Sequence, residues 1–533
     1  MIERLLCVLL LLGPLAGPGF AVPETDKPAM EPLLRVVDLR VGQEATVELC
    51  DGSQARVKLL DLVEKRDSLR NAVRRGVVTV EVNGHEATLT SATYHLPVTV
   101  GDVQIDCALT KGCLENGDHW GLDADARFRL WPAGSPWIRP GTFTYPVRQK
   151  WFASYTLMAN EIGDGERPAD KSIYYHWGLD MGGAEKLVSV VAATDGVVVS
   201  ARGKVLPPGG LPSPVHPRYD VVYLRDGRGW YYRYSHLDSI DASIRPGVRV
   251  KQGDKIGVLG KEGASGGWSH LHFDVVTPQP TGRWGICEGY AFLWQAYHQE
   301  HPTPLEAVAR PHQLVWTDEP VTLDGTRSWC AKGKEHIARY EWTLTGGGRG
   351  GGQEKGTQLS CAKHPPGRSG KRAASPFPAP FSVATAEGPT VERRYARAGT
   401  YSEILKVTDD EGHVDYDFAL VQVVDRDAPD RQAPRVHAAY WPTFGIKPGD
   451  AVTFKVRSFR VEPDEGHETW DFGDGSPAVT TQSPGGADPH DPNGYAITTH
   501  RYERPGDYLV SVHRTNRRGE IGMDHLHVVV EPR

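Results

Sequence analysis

From residue 36 onward, short runs of this chain alternate apolar and polar side chains with a period of two, and that pattern confines it to sheets. Residues 36–41 and 77–82 (Val-Val-Thr-Val-Glu-Val) read as strands, the second closed by an Asn83-Gly84 hairpin turn. Residues 188–193 and 196–200 read as strands joined by a turn at Thr194-Asp195. Residues 220–224 and 229–234 bracket a turn at Asp226-Gly227. Residues 290–300 read as a helix stopped before Pro302. The expected fold class is mainly β.

At 533 residues the chain exceeds what one core can organise, so a multidomain arrangement follows. Residues 1–21 read as a secretory signal: Arg4, an apolar run from Leu5 to Leu12, then small residues up to Ala21. The run is too short to span a bilayer, which needs about 20 apolar residues, and no later segment predicts a span. Beyond a Pro-rich spacer, residues 34–140 form a small β domain, and residues 141–310 a second β domain. Two further β modules follow at 311–427 and 434–533. The net charge of −7 is small and the signs are interspersed, so neither nucleic acid nor a membrane surface is an expected partner. An exported location (periplasm, cell surface or medium) makes disulfides the expected state of the cysteines left after Cys7. Cys107–Cys113 and Cys330–Cys361 are the short-range pairings, leaving Cys50 and Cys287 free or joined.

The last two modules repeat one layout: a Trp-containing strand (Trp342, Trp470), then Tyr-x-x-x-Gly-x-Tyr at Tyr395–Tyr401 and Tyr502–Tyr508. The repeat resembles the PKD-type immunoglobulin-like sandwich. Its hallmark is present in the second copy as Trp470-Asp471-Phe472-Gly473-Asp474-Gly475. The first copy departs from it at Trp342-Thr343-Leu344-Thr345-Gly346, where a Gly-, Ser- and Pro-rich insertion to about residue 389 is expected to form a loop.

Chemistry concentrates in three segments: Tyr175-His176-Trp177-Gly178-Leu179-Asp180, Tyr234-Ser235-His236 and His270-Leu271-His272-Phe273-Asp274. Imidazole and carboxylate are zinc ligands, and hydrolysis needs three of them with proton-handling groups alongside. Even spacing on extended backbone puts His176 with Asp180, and His270 with His272, on shared faces. Spacing does not decide which three of the five bind metal. Other histidines read as structural or surface residues: the widely spaced His85, His95 and His119, the pair His298 and His301 on the helix, and His525-x-His527. The last shows how little a His-x-His pair means alone.

Residues 174–276 resemble the catalytic domain of lysostaphin/LytM-type zinc endopeptidases. The likeness rests on His176-x-x-x-Asp180, Tyr234-x-His236, the turn series Gly247-x-x-Val250-x-x-Gly253-Asp254-x-Ile256-Gly257-x-x-Gly260, and His270-x-His272. The resemblance implies Zn2+ held by His176, Asp180 and His272. It implies His236 and His270 as the catalytic pair, stabilising the oxyanion and relaying protons while a metal-activated water attacks. It further implies a peptidoglycan cross-link as substrate. The competing readings are an exported zinc protease acting on other extracytoplasmic peptides, and a surface adhesion protein using the domain as a scaffold. The PKD-like modules would serve as spacers or bind a surface ligand. The domain at 34–140, lying ahead of the catalytic segment, raises the expectation that it covers the groove. The loop at 206–217 is expected to shape specificity.

Overall fold

The computed structural model describes residues 29–533 apart from 92, 116, 164–172, 207–213, 346–383 and 487. The expected signal segment, Cys361 and most of the Gly-rich insertion lie outside the described residues, as does most of the 206–217 loop. Sheets dominate, and Tyr290–Glu300 is the one α-helix among the described residues. Among them, no helix is long and apolar enough to cross a membrane.

The N-terminal strands form two four-stranded sheets that enclose a core of Val57, Leu59, Val80, Ile105, Phe128 and neighbours. Val73–Val82 pairs with His85–Thr90 around Asn83-Gly84, both at positive φ (49° and 86°), as a tight primed turn requires. Next comes a nine-stranded sheet in which His270–Pro278 is flanked by Tyr231–Ser235 and Leu179–Gly182, all antiparallel. Every residue of His270–Pro278 but the last is buried, which explains its near-continuous apolar and histidine content. The strands on either side of Thr194-Asp195 part company: Ser189–Val191 joins a small sheet with Lys255–Leu259, and Gly196–Ala201 joins the large one. The helix buries Tyr290, Phe292, Leu293 and Trp294 in the core of this domain.

The two C-terminal sandwiches share geometry as well as motifs. Trp342 and Trp470 are fully buried. Tyr395 stacks on Tyr401 at 4.6 Å and Tyr502 on Tyr508 at 4.2 Å, and each second hydroxyl donates to a carbonyl four residues back. In the second copy, Gly473 (φ 76°) has no room for a Cβ, which would lie 2.6 Å from the Leu509 carbonyl. The sandwiches are also fused: Gly399–Asp409 pairs in parallel with Ile521–Val530, making one nine-stranded sheet across both. Part of the expected insertion is structured, because Ala384–Glu387 pairs with Ile337–Leu344.

Two expectations are corrected. Cys107 and Cys113 are free thiols, one packed among Leu59, Ile105 and Phe128 and the other among Trp120 and Tyr175. Cys50 and Cys287 are free too; Cys287 lies buried beside Arg129. Cys330 is buried and free among the described residues, and its expected pairing with Cys361 lies outside them. His298 is not a surface residue: it stacks on Trp294 at 4.3 Å and packs against Trp329, and burial lowers its pKa to about 4. His525 and His527 are structural as expected, buried against Phe418 and Tyr416 respectively.

Candidate metal centre

Strand pairing assembles the centre. His270 and His272 lie two apart on one strand and so share a face. Asp180 stands directly across from His272 in the antiparallel register. His176 enters just before that strand, where a bridge between Tyr175 and Ile162 holds the chain. His176 Nε2, Asp180 Oδ1 and His272 Nδ1 then form a buried triangle with sides of 3.2, 2.8 and 3.0 Å. Donors around a tetrahedral zinc with bonds of about 2.0–2.2 Å stand roughly 3.3–3.6 Å apart. Opening the sides by a few tenths of an ångström, and the shortest by about 0.5–0.8 Å, would admit the ion, so the residues fit it.

A layer behind the triangle fixes its orientation. His272 Nε2 lies 2.9 Å from Asp274 Oδ1, close but not aligned as a hydrogen bond, and Arg233 pairs with the other Asp274 oxygen at 3.2 Å. Gly178 makes room for this pair, because a Cβ there would sit 2.4 Å from Asp274 Oδ1 and 2.6 Å from the His272 ring. Burial alone would lower the His272 pKa, but Asp274 and Asp180 outweigh it and raise it to about 9. Burial likewise opposes ionisation of Asp180, and the three neighbouring histidines override it, holding that carboxyl well below the usual range.

His236 and His270 face each other beside the triangle with ring centroids 4.7 Å apart. His236 ends the Tyr231–Ser235 strand in a left-handed conformation (φ 67°), a strained state of the kind kept at functional sites. Its backbone N–H donates to Asp220 at 3.1 Å, and its Nδ1 lies 2.6 Å from the Glu262 carbonyl. His270 Nδ1 lies 3.1 Å from the Trp268 carbonyl, and its ring stacks on Trp268 at 3.8 Å. A carbonyl only accepts, so Nδ1 carries the hydrogen in both rings and Nε2 is left as the acceptor. Arg218 also approaches His236 Nδ1, at 3.4 Å, but the much shorter carbonyl contact decides the tautomer. Burial lowers both pKa values, His270 furthest, so both rings rest neutral.

These groups floor a cleft of about 620 Å³. One side is lined by Tyr155, Tyr174, Trp177, Arg218 and Trp268. The other is lined by Gln432, Arg435, His437, Phe459, Arg460 and Gly486, from the C-terminal end of the chain. The N-terminal domain does not cover the groove: among the described residues, none before Tyr155 lines it, although His119 stacks on Trp177 at its rim. The C-terminal wall is bonded in place. Tyr495 OH accepts the Ser269 N–H at 2.7 Å and bonds His437 Nδ1 at 2.8 Å, while Lys455 Nζ donates to the Glu185 carbonyl at 2.7 Å.

Three residues of this centre carried a sequence signal that went unused. Asp274 extends the His-x-His spacing by two more residues, Arg233 sits on the aromatic strand ahead of His236, and Trp268 precedes His270. The wall residues had none, because their nearness depends on domain packing.

A buried His/His/Asp triangle on a sheet, open to a cleft, is a donor set that can hold a metal ion. Residues 174–281 match the model of peptidase family M23, and residues 437–528 match that of the PKD domain, so the chain joins an M23 peptidase domain to a PKD domain. Among solved structures, similarity extends to Csd3 of Helicobacter pylori (14% identity, 48% of this chain and 81% of that one, TM-score 0.20). It extends also to the fibronectin(III)-like modules of Clostridium thermocellum CbhA (10% identity, 43% and 94%, TM-score 0.15).

Proposed function

We propose that this chain is an exported zinc metalloendopeptidase that hydrolyses peptide cross-links of bacterial peptidoglycan. The observation that carries the reading is the ligand triangle opening on the same cleft as two neutral imidazoles. His176, Asp180 and His272 hold the ion, two nitrogens and a carboxylate oxygen being a donor set zinc accepts. When bound there, zinc supplies a Lewis acid and lowers the pKa of water in its open position. His236 and His270 handle the protons. Each has Nδ1–H committed to a carbonyl, so each offers Nε2 as a base. The ring that takes the proton from the attacking water becomes a cationic donor beside the developing oxyanion, then gives that proton to the leaving amine. Asp274 and Arg233 keep His272 turned to the metal.

In this reading residues 1–21 are removed on export, residues 141–310 form the catalytic unit, and the modules at 311–427 and 434–533 brace it. The test is to digest purified peptidoglycans of differing cross-link and identify fragments by mass. Wild type is expected to release cross-link fragments, whereas His270→Ala and chelated protein release none. Zinc-loaded wild type that frees no fragment from any peptidoglycan or oligoglycine would overturn it.

A further inference from the structure

The charge of the cleft is lopsided. Among its lining residues Asp180 is the one carboxylate, and it belongs to the ligand triangle, whereas Arg218, Arg233, Arg435 and Arg460 bring four guanidinium groups. Two of these serve the centre itself: Arg218 grips Asp220 at 2.8 and 2.5 Å, and Arg233 holds Asp274. Arg435 differs. Its guanidinium lies 4.3 Å over the Tyr155 ring, and among the described residues no carboxylate lies within ion-pair distance of it. Tyr155 in turn stacks parallel to His312 at 4.2 Å and meets the edge of Trp268 at 4.9 Å, and Trp268 is the ring that stacks on His270. A guanidinium laid on an aromatic face keeps its in-plane N–H fork available and loses little freedom when it pairs. A cationic fork beside the centre, in a cleft whose one lining carboxylate belongs to the ligand triangle, suits a carboxylate.

We infer that Arg435, contributed by the C-terminal sandwich, is a specificity residue that binds a free carboxylate of the peptide substrate, so that acidic stem peptides are cleaved in preference to neutral glycine bridges. This rests on the metallopeptidase reading and narrows its substrate. The domain that would otherwise pass for a spacer supplies part of the recognition surface.

The experiment uses the full zinc-loaded chain and three probes: a peptide with a side-chain carboxylate next to the scissile bond, the same peptide with that group as a carboxamide, and pentaglycine. Wild type is expected to favour the acid over the amide by about 10- to 100-fold in kcat/KM, the worth of a charge-assisted, bidentate contact. The preference should reside mostly in KM and weaken with salt. Arg435→Gln should bring the acid-to-amide ratio close to one, and Arg435→Lys should restore part of it, with zinc content and melting temperature recorded for each. Equal rates of wild type on acid and amide, or an Arg435→Gln protein that keeps the preference, would overturn the inference while leaving the peptidase reading intact. Should Arg435→Gln not fold, the wild-type ratio and Arg435→Lys decide. No cleavage of any probe or of peptidoglycan would sink the peptidase reading itself.

Discussion

Replacing Tyr495 with Phe tests whether the C-terminal sandwich is part of the peptidase site. The change removes one oxygen and little volume. In the wild type that hydroxyl accepts the Ser269 N–H at 2.7 Å and bonds His437 Nδ1 at 2.8 Å, in a spot where Ser269 is fully buried and Tyr495 only 6% exposed. Water does not replace it there, so a buried N–H is left unpaired at a cost of about 1–3 kcal/mol, with about 1 kcal/mol more for the bare His437 nitrogen. The expected loss of stability is about 2–4 kcal/mol, read by urea denaturation followed by tryptophan fluorescence. Because Ser269 adjoins His270, the freed backbone also shifts an imidazole whose placement the chemistry needs, and small misplacements cost up to roughly 100-fold in rate. We expect kcat to fall at least about tenfold with KM changing little. Tyr508→Phe is the matched control, since its hydroxyl donates to the exposed Arg504 carbonyl at 2.8 Å, far from the cleft; it should cost about 1 kcal/mol or less. A Tyr495→Phe protein as stable and as fast as that control would refute the reasoning.

Gly178→Ala should leave the sheet folded by circular dichroism but weaken metal retention at least about tenfold in a chelator competition, because the new Cβ displaces the Asp274–His272 pair behind the ligands. His272→Ala should abolish zinc binding, whereas His270→Ala should retain the metal and lose turnover by a factor of about 100 or more, separable by metal analysis beside kinetics. Burial raises the pKa of Glu306 to about 8 and that of Asp415, which Glu306 also disfavours, to about 6. Both bind protons more tightly folded than unfolded, so their contribution is complete below about pH 4 and lost as pH rises through about 6 and then 8. Melting temperature should therefore decline between pH 5 and pH 9, and Glu306→Gln should flatten the upper part of that decline; an unchanged slope would show that another group is responsible.

Much of this molecule was legible in the sequence for local reasons. Alternation located Val73–Val82 and Tyr231–Ser235, Asn83-Gly84 marked its turn, and the apolar run before Pro302 marked Tyr290–Glu300. Period two brought His270 and His272 to one face. What the sequence did not yield was set by packing between distant segments. Thr194-Asp195 reads as a hairpin turn, yet the strands on either side pair in different sheets. Cys107 and Cys113 are close along the chain, yet both are free and each packs in a different apolar cluster. The wall of the cleft was hidden for the same reason: nothing near Arg435 or Tyr495 in sequence points to residues 155–270.

The bond between Tyr495 and Ser269 spans 226 residues of chain. During synthesis all five motif residues therefore leave the ribosome long before the residue that steadies them. A nascent chain, or one clipped within the last module, carries the metal ligands without the completed cleft. Completion of the cleft is thus tied to the integrity of the far end of the polypeptide, and a fragment that keeps only the His/His/Asp triangle lacks the wall that Tyr495 bonds in place.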